Sequence, residues 1–393
     1  MADCDSLKVP FFRASIGKDD EEAVLRVLHS GWLTTGKEAL AFEQEFAAKI
    51  QVPYALAVNS NTSGMVLAME ACGVGAGKAV ITTPYTFVST AACARLLGAD
   101  VYFADIEPDS YSIDPAAIEK ILCGPDGKKV AAIVPVHIGG NVCDMDAIMA
   151  LAKKYGVRVI EDCAHSFPSP THLGYAGAIG DIGVFSFYVT KTITTGEGGM
   201  VTTKDEALAR HMMSMRMHGM DRTTWDRYTS PKASWEYDII APGYKYNLPD
   251  LLAALGRTQL AKAEEFDRKR KAHVQRYIEA FRHMDFIKLP PDGEGNAWHL
   301  FLLRLDTSKL SCDRNTFARE LQTLGVGISV HFIPIFHFSY WQGLYPEFTA
   351  RNFPNAEQRY NETITIPLFP DMTDDMVDFV ISRVKAIGEK YHA

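Results

Sequence analysis

A chain of 393 residues, 47% hydrophobic and 22% charged, has the make-up of a globular protein, and its length exceeds one typical core, so two packed units are expected. Its net charge of −8 argues against duplex nucleic acid or an anionic membrane as the main partner, since both reward a basic face.

Tyr54–Asn59 reads as a strand, followed by the small polar turn Ser60-Asn61-Thr62-Ser63-Gly64 and a helical stretch over Met65–Cys72. Ala79–Thr83 is the next strand and Val88–Leu97 the next helix. Further strands are expected at Val101–Ala104, Val130–Val136, Val157–Ile160, Val184–Tyr188 and Met200–Thr203, with acid-capped helices opening near Asp114 and Asp144. Apolar strands separated by helices predict a mostly parallel sheet covered on both faces, an α/β fold. After Pro249 the texture changes. One long charged helix is expected from Leu251 to about Met284, then a strand over Trp298–Leu305, a helix over Asn315–Leu324, a strand over Gly327–His331 and a last helix over Asp374–Ile387. The expected division is a large α/β unit over residues 1–250 and a smaller α+β unit over 251–393.

The seven cysteines (Cys4, Cys72, Cys93, Cys123, Cys143, Cys163, Cys312) are scattered and never spaced as C-x-x-C, so no metal site is expected and a reduced, cytoplasmic setting fits. The first residues carry charge without the apolar run of a secretory leader, and no segment approaches the roughly 18 apolar residues of a membrane span.

In open α/β sheets ligands gather beyond the carboxyl ends of strands, and three such ends carry unusual residues. The strand at Val157–Ile160 runs into Glu161-Asp162-Cys163-Ala164-His165. A carboxylate beside so apolar a strand needs a cationic partner, and the protonated ring nitrogen of pyridoxal phosphate (PLP) is one; a helix cap would use the same residue. Val184–Tyr188 delivers Thr190-Lys191-Thr192-Ile193-Thr194-Thr195 and then Gly196-Glu197-Gly198-Gly199. A lysine among small hydroxyl residues and glycines suits a Schiff-base amine, whereas the glycines lack the spacing of a dinucleotide fingerprint. Tyr54–Asn59 ends in hydroxyl residues at a helix start, a phosphate cradle or an ordinary cap. Phe87 could offer a flat face to a ring. His331 and His337, six residues apart with no third ligand beside them, suit a sugar contact or a structural role better than a metal.

Ser186-Phe187-Tyr188-Val189-Thr190-Lys191 with Thr194-Thr195-Gly196-Glu197-Gly198-Gly199 resembles the lysine signature of the DegT/DnrJ/EryC1/StrS sugar aminotransferases. The segments Ser30-Gly31-Trp32-Leu33-Thr34-Thr35-Gly36, Glu161 to His165, Gly243-Tyr244-Lys245-Tyr246-Asn247-Leu248 and Trp298-His299-Leu300-Phe301 extend the likeness from about Pro10 to the end, nearest to the branch typified by UDP-4-amino-4-deoxy-L-arabinose aminotransferases. The resemblance implies a type I PLP-dependent transferase fold and a homodimer with shared active sites. It also implies amino transfer, with L-glutamate as expected donor, to a nucleotide-linked keto-sugar, a UDP-4-keto sugar first. By the same resemblance Lys191 carries the cofactor and Asp162 partners its ring nitrogen. His165 lies beside the ring oxygen, and Thr62, Ser63 and Ser186 contact the phosphate. Phe87 stacks on the ring, Trp32 and His331 face substrate, and Asn247 reaches the phosphate of the neighbouring subunit's cofactor. Three departures stand out. Asn247 lies two residues beyond the usual Asn of its motif, whose place Lys245 occupies. Phe87 replaces the branch's Trp, and residues 166–172 are rich in proline. A PLP-dependent sugar dehydratase and a non-catalytic sensor on the same fold are the alternatives, the first disfavoured by the presence of Lys191.

Overall fold

The computed structural model describes residues 7–221 and 236–393. Its strands in chain order are β1 (Tyr54–Val58), β2 (Ala79–Thr82), β3 (Asp100–Phe103), β4 (Val130–Val134), β5 (Arg158–Cys163), β6 (Pro170–Thr171), β7 (Gly174–Tyr175), β8 (Ile182–Ser186), β9 (Gly199–Thr203), β10 (Ile287–Lys288), β11 (Phe301–Leu305) and β12 (Thr363–Ile366). Seven of them form one sheet in the order β1-β9-β8-β5-β4-β2-β3. All run parallel except β9, which lies antiparallel between β8 and β1. The fold is therefore α/β with a large, mostly parallel sheet. Its strands are buried on both faces, as their near-continuous apolar sequences require. β10, β11 and β12 make a second, antiparallel sheet.

Several elements differ from their sequence expectation, each for a local reason. β5 extends through Cys163, so Glu161 and Asp162 lie within the strand rather than after it. The long helix is two helices, Asp250–Ala261 and Ala263–Phe281, broken at Lys262. There the backbone N–H bonds Gln259 only three residues back, and the side chain reaches Asp20 at 2.5 Å. β11 begins at Phe301 because Trp298 takes a left-handed φ of 44° and turns the chain before the strand. Gly327–His331 forms no strand. Gly327 instead donates to Val9, and Ser329 makes a lone antiparallel bridge with Thr365. Two helices that the sequence reading left out, Lys18–Ser30 and Lys37–Ile50, pack on the helix Asp250–Ala261.

The second sheet has its own core, built around Tyr277, Phe281, Phe301 and Phe317, and Val9 belongs to it. Conversely Phe336, Trp341 and Phe353 join the core of the large sheet. The first described residues thus pack with the small sheet, and part of 335–356 packs with the large one. No helix among the described residues is long and apolar enough to cross a membrane.

Candidate active site

A cavity of about 500 Å³ opens at the carboxyl ends of the parallel strands, with His299, Leu300, Ile366 and Leu368 lining it from within or beside the second sheet. Alternation along β5 sends its two acids to opposite faces. Glu161 is wholly buried away from the cavity. Its carboxylate accepts from the backbone N–H groups of Gly177, Ile179 and Gly180 at 2.7–2.9 Å and pairs with His137 at 3.1 Å. With Cys163 these two form a tight buried trio whose acid is already filled by hydrogen bonds. Glu161 is structural.

Asp162 faces the cavity at 3% exposure. One oxygen accepts from the Thr90 hydroxyl at 2.8 Å; the other accepts from the Ala164 N–H at 3.1 Å and the Asn61 amide at 3.4 Å. Burial pushes its pKa up, opposed by the Thr90 and Ala164 hydrogen bonds and the charges of Lys191 and His137. A buried carboxylate of this kind is completed by a cation in front of it.

Lys191 lines the same cavity from the connection between β8 and β9. Its N–H donates to Tyr188 at 2.9 Å, and the Thr194 hydroxyl and Thr195 N–H both donate to the Phe187 carbonyl at 3.0 Å, which folds the loop into a compact turn. Gly196, at a φ of 80°, closes it. Burial pushes the Lys191 amine down to about 8, with Asp162 pulling the other way. A lysine so placed is a nucleophile near neutral pH.

The helix Asn61–Ala71 starts at the cavity edge. Ser60 caps it by accepting from Ser63 N–H at 3.1 Å, and Ser60, Asn61, Thr62 and Ser186 all line the cavity. Gly199 lets β9 approach this turn: a Cβ there would stand 2.8 Å from the Asn61 nitrogen. First-turn N–H groups and hydroxyls around one point make an anion cradle.

His165 is held well below the ordinary imidazole value by burial, then by the charges of Lys191, His299 and His331. The Gly139 N–H donates to its Nδ1 at 3.1 Å. The ring is therefore neutral with its proton on Nε2, a donor. Phe87, 59% exposed, lies 6.2 Å from the ring of Phe332 at the mouth.

Of the residues singled out from sequence, the structure brings Thr62, Phe87, Asp162, His165, Ser186, Lys191 and His331 into one cavity. Four lie outside its lining. The Ser63 hydroxyl turns back to Asn59 at 2.5 Å, and Ser60 takes the place at the wall. Asn247 donates to Thr35 at 2.6 Å and accepts from Lys245, so both candidates at that motif bond each other. Trp32 bonds the Thr35 carbonyl in the same neighbourhood. His337 pairs with Glu357 at 2.6 Å, a structural role. Sequence reasoning missed Thr90, Asn61 and His299. The first carries no local signal, whereas Asn61 and His299 sit inside motifs already noted.

A large sheet with β9 reversed, and a lysine and a buried acid facing one cavity at its strand ends, is the architecture of PLP-dependent aminotransferases. Residues 14–385 match the DegT/DnrJ/EryC1/StrS aminotransferase family, and the chain belongs to it. The spore coat polysaccharide biosynthesis protein SpsC of Bacillus subtilis (strain 168) is 41% identical over 382 residues, covering 96% of this chain and 97% of that protein. Among solved structures, PseC of Helicobacter pylori, an aminotransferase involved in the biosynthesis of pseudoaminic acid, superposes with a TM-score of 0.89 at 27% identity, covering 98% of this chain and all of PseC. The putative sugar aminotransferase Spr1654 of Streptococcus pneumoniae, in its PMP form, gives 0.88 at 28% identity and 98% coverage of each chain. The chain is a sugar aminotransferase.

Proposed function

We propose that the protein moves the amino group of an amino acid, L-glutamate first among them, onto the ketone of a nucleotide-linked sugar, with PLP as cofactor. The observation that carries this reading is the Lys191 amine facing the same cavity as the buried Asp162 carboxylate. The donor set fits PLP: an amine for its aldehyde, an acid for its ring nitrogen, and a hydroxyl-lined helix start for its phosphate. Bound there, PLP supplies an electron sink for the carbon that loses its proton.

Lys191 would hold the cofactor through its amine and, once released, carry a proton from the donor carbon as base and return it as acid. Asp162 would keep the ring nitrogen protonated. Thr62 and Ser186, joined by Ser60 and the first-turn N–H groups, would hold the phosphate. His165 would donate from Nε2 to the ring oxygen, and Phe87 would cover one face of the ring. Trp32 and His331 are assigned to the sugar side. A UDP-4-keto sugar is the first acceptor to try, by resemblance of the motifs. The name of SpsC supports a product destined for a polysaccharide.

In this reading the working unit is a homodimer in the cytoplasm, with Asn247 or Lys245 reaching the partner's cofactor phosphate. Support for an apolar contact surface comes from Ile239 and Ile240, 50% and 64% exposed near this motif.

The test is spectroscopic. Protein loaded with PLP should absorb in the visible, lose that band on adding L-glutamate and regain it with a UDP-4-keto sugar. A band that glutamate leaves unchanged would reject the donor and favour the dehydratase or sensor alternative. Lys191→Ala should bind PLP without the lysine-linked band and lose turnover by several orders of magnitude; retained turnover would refute the assignment.

A further inference from the structure

The cavity contains more imidazole than the roles above use. His165, His299 and His331 all line it, and the charge of Lys191 acts on all three. Two are engaged: His165 Nδ1 accepts from Gly139, and His331 Nδ1 bonds the Thr365 hydroxyl at 2.9 Å. His299 differs. It is 6% exposed, its ring centroid lies 4.5 Å from that of His165, and neither ring nitrogen has a hydrogen-bond partner among the described residues. The left-handed turn at Trp298, fixed by its N–H on Asn296 at 2.9 Å, delivers His299 to the wall before β11 begins.

An α-amino acid carries its carboxylate on the same carbon whose proton must reach Lys191. That carboxylate must therefore fall within a few ångströms of the lysine amine, in the shell these imidazoles form. Such an anion ordinarily finds an arginine. Yet Lys191 is the only lysine or arginine among the described residues that line the cavity.

Resting on the aminotransferase reading, we infer that His299 is the hydrogen-bond donor for the α-carboxylate of the amino donor. Behind it lies a second observation of the same sense. Arg270 is 2% exposed and donates once, to the Thr192 carbonyl at 3.3 Å, while its Nε and Nη2 have no partner among the described residues. Its charge acts on His299. The charge of Asp267 acts on Arg270, but Asp267 pairs with Lys271 at 2.8 Å, so an anion arriving in front of His299 would add compensation. A neutral imidazole within the field of the Arg270 guanidinium gives a site that is cationic only at a distance. It can hold a carboxylate without neutralising Lys191.

The test compares wild type, His299→Phe and His299→Gln, all loaded with PLP, titrated with L-2-methylglutamate, which lacks the proton that Lys191 would remove. A hydrogen bond to a charged group corresponds to about a 10–100-fold change in affinity. His299→Phe should weaken the analogue by that factor, and His299→Gln, which keeps an N–H, should recover most of it. PLP affinity, keto-sugar affinity and melting temperature should stay close to wild type. In wild type the His299 ring nitrogen resonances should move when the analogue is added, a readout that stands even if the Phe variant does not fold. Unchanged analogue affinity with unmoved resonances would overturn the inference, as would a loss confined to the keto-sugar. Wild type that binds PLP but no amino acid would instead reject the functional reading beneath it.

Discussion

At the scale of residues, the proposed chemistry rests on two groups that burial moves in opposite directions. Lys191 is pushed down and Asp162 up, each by loss of water and each partly restored by the other's charge. With an amine at about 8, the neutral fraction rises about tenfold per pH unit below that value and levels off above it. The rate at which cofactor-free protein captures PLP should follow this curve, flattening near pH 8. A rate that climbs through pH 10 would mean an unperturbed lysine. That both would face one cavity was legible because they sit in local motifs. Thr90 was not, since its bond to Asp162 spans 72 positions and an isolated threonine at a helix start has no distinguishing neighbours. His299 was quoted within a motif but given no role, because only the fold shows that its ring nitrogens are unclaimed.

Among the elements, the helix Asn61–Ala71 matters most, because its first turn is part of the cavity wall. Gly64 lets it sit directly on the sheet: a Cβ there would stand 2.7 Å from Val184 and 2.9 Å from Val201. Gly64→Ala should push the helix outward at a cost of about 1–3 kcal/mol by overpacking. It should lower the melting temperature and weaken PLP binding together, whereas an exposed Gly→Ala such as Gly343→Ala would move neither. Strands of the large sheet could be read from sequence because burial on both faces leaves continuous apolar runs. Gly327–His331 misled because Ile328 and Val330 alternate as in a strand, while their neighbours' hydrogen bonds go to Val9 and Thr365. Residue type alone did not tell Glu161 from Asp162; the resemblance picked Asp162, and the alternation along β5 sends Glu161 to the other face.

For the whole molecule, the cavity is lined by residues beside both sheets, whose cores are separate, so occupying it should stabilise both. A ligand at about a hundredfold over its dissociation constant adds about 2.7 kcal/mol to the folded state. Removing PLP should therefore lower the melting temperature by several degrees, restored on reloading, and Lys191→Ala should show a smaller restoration. Calorimetry of the stripped and reloaded protein measures this directly. The α/β class was visible in the alternation of apolar strands with helices. The exchange of Val9 and Trp341 between cores was not, because nothing in a short apolar segment says which sheet it will meet.

β5 also sets which changes in chain length its descendants can survive. Two adjacent acids with opposite duties make the strand a fixed-frame message: one residue gained or lost before Glu161 would turn the structural carboxylate toward the ligand and bury the other among peptide N–H groups. Point substitutions can be accommodated gradually, but a frame change of this kind has no half-way state. Gaps between this chain and its relatives should therefore gather in the 170–175 hairpin and stay out of Val159–Cys163.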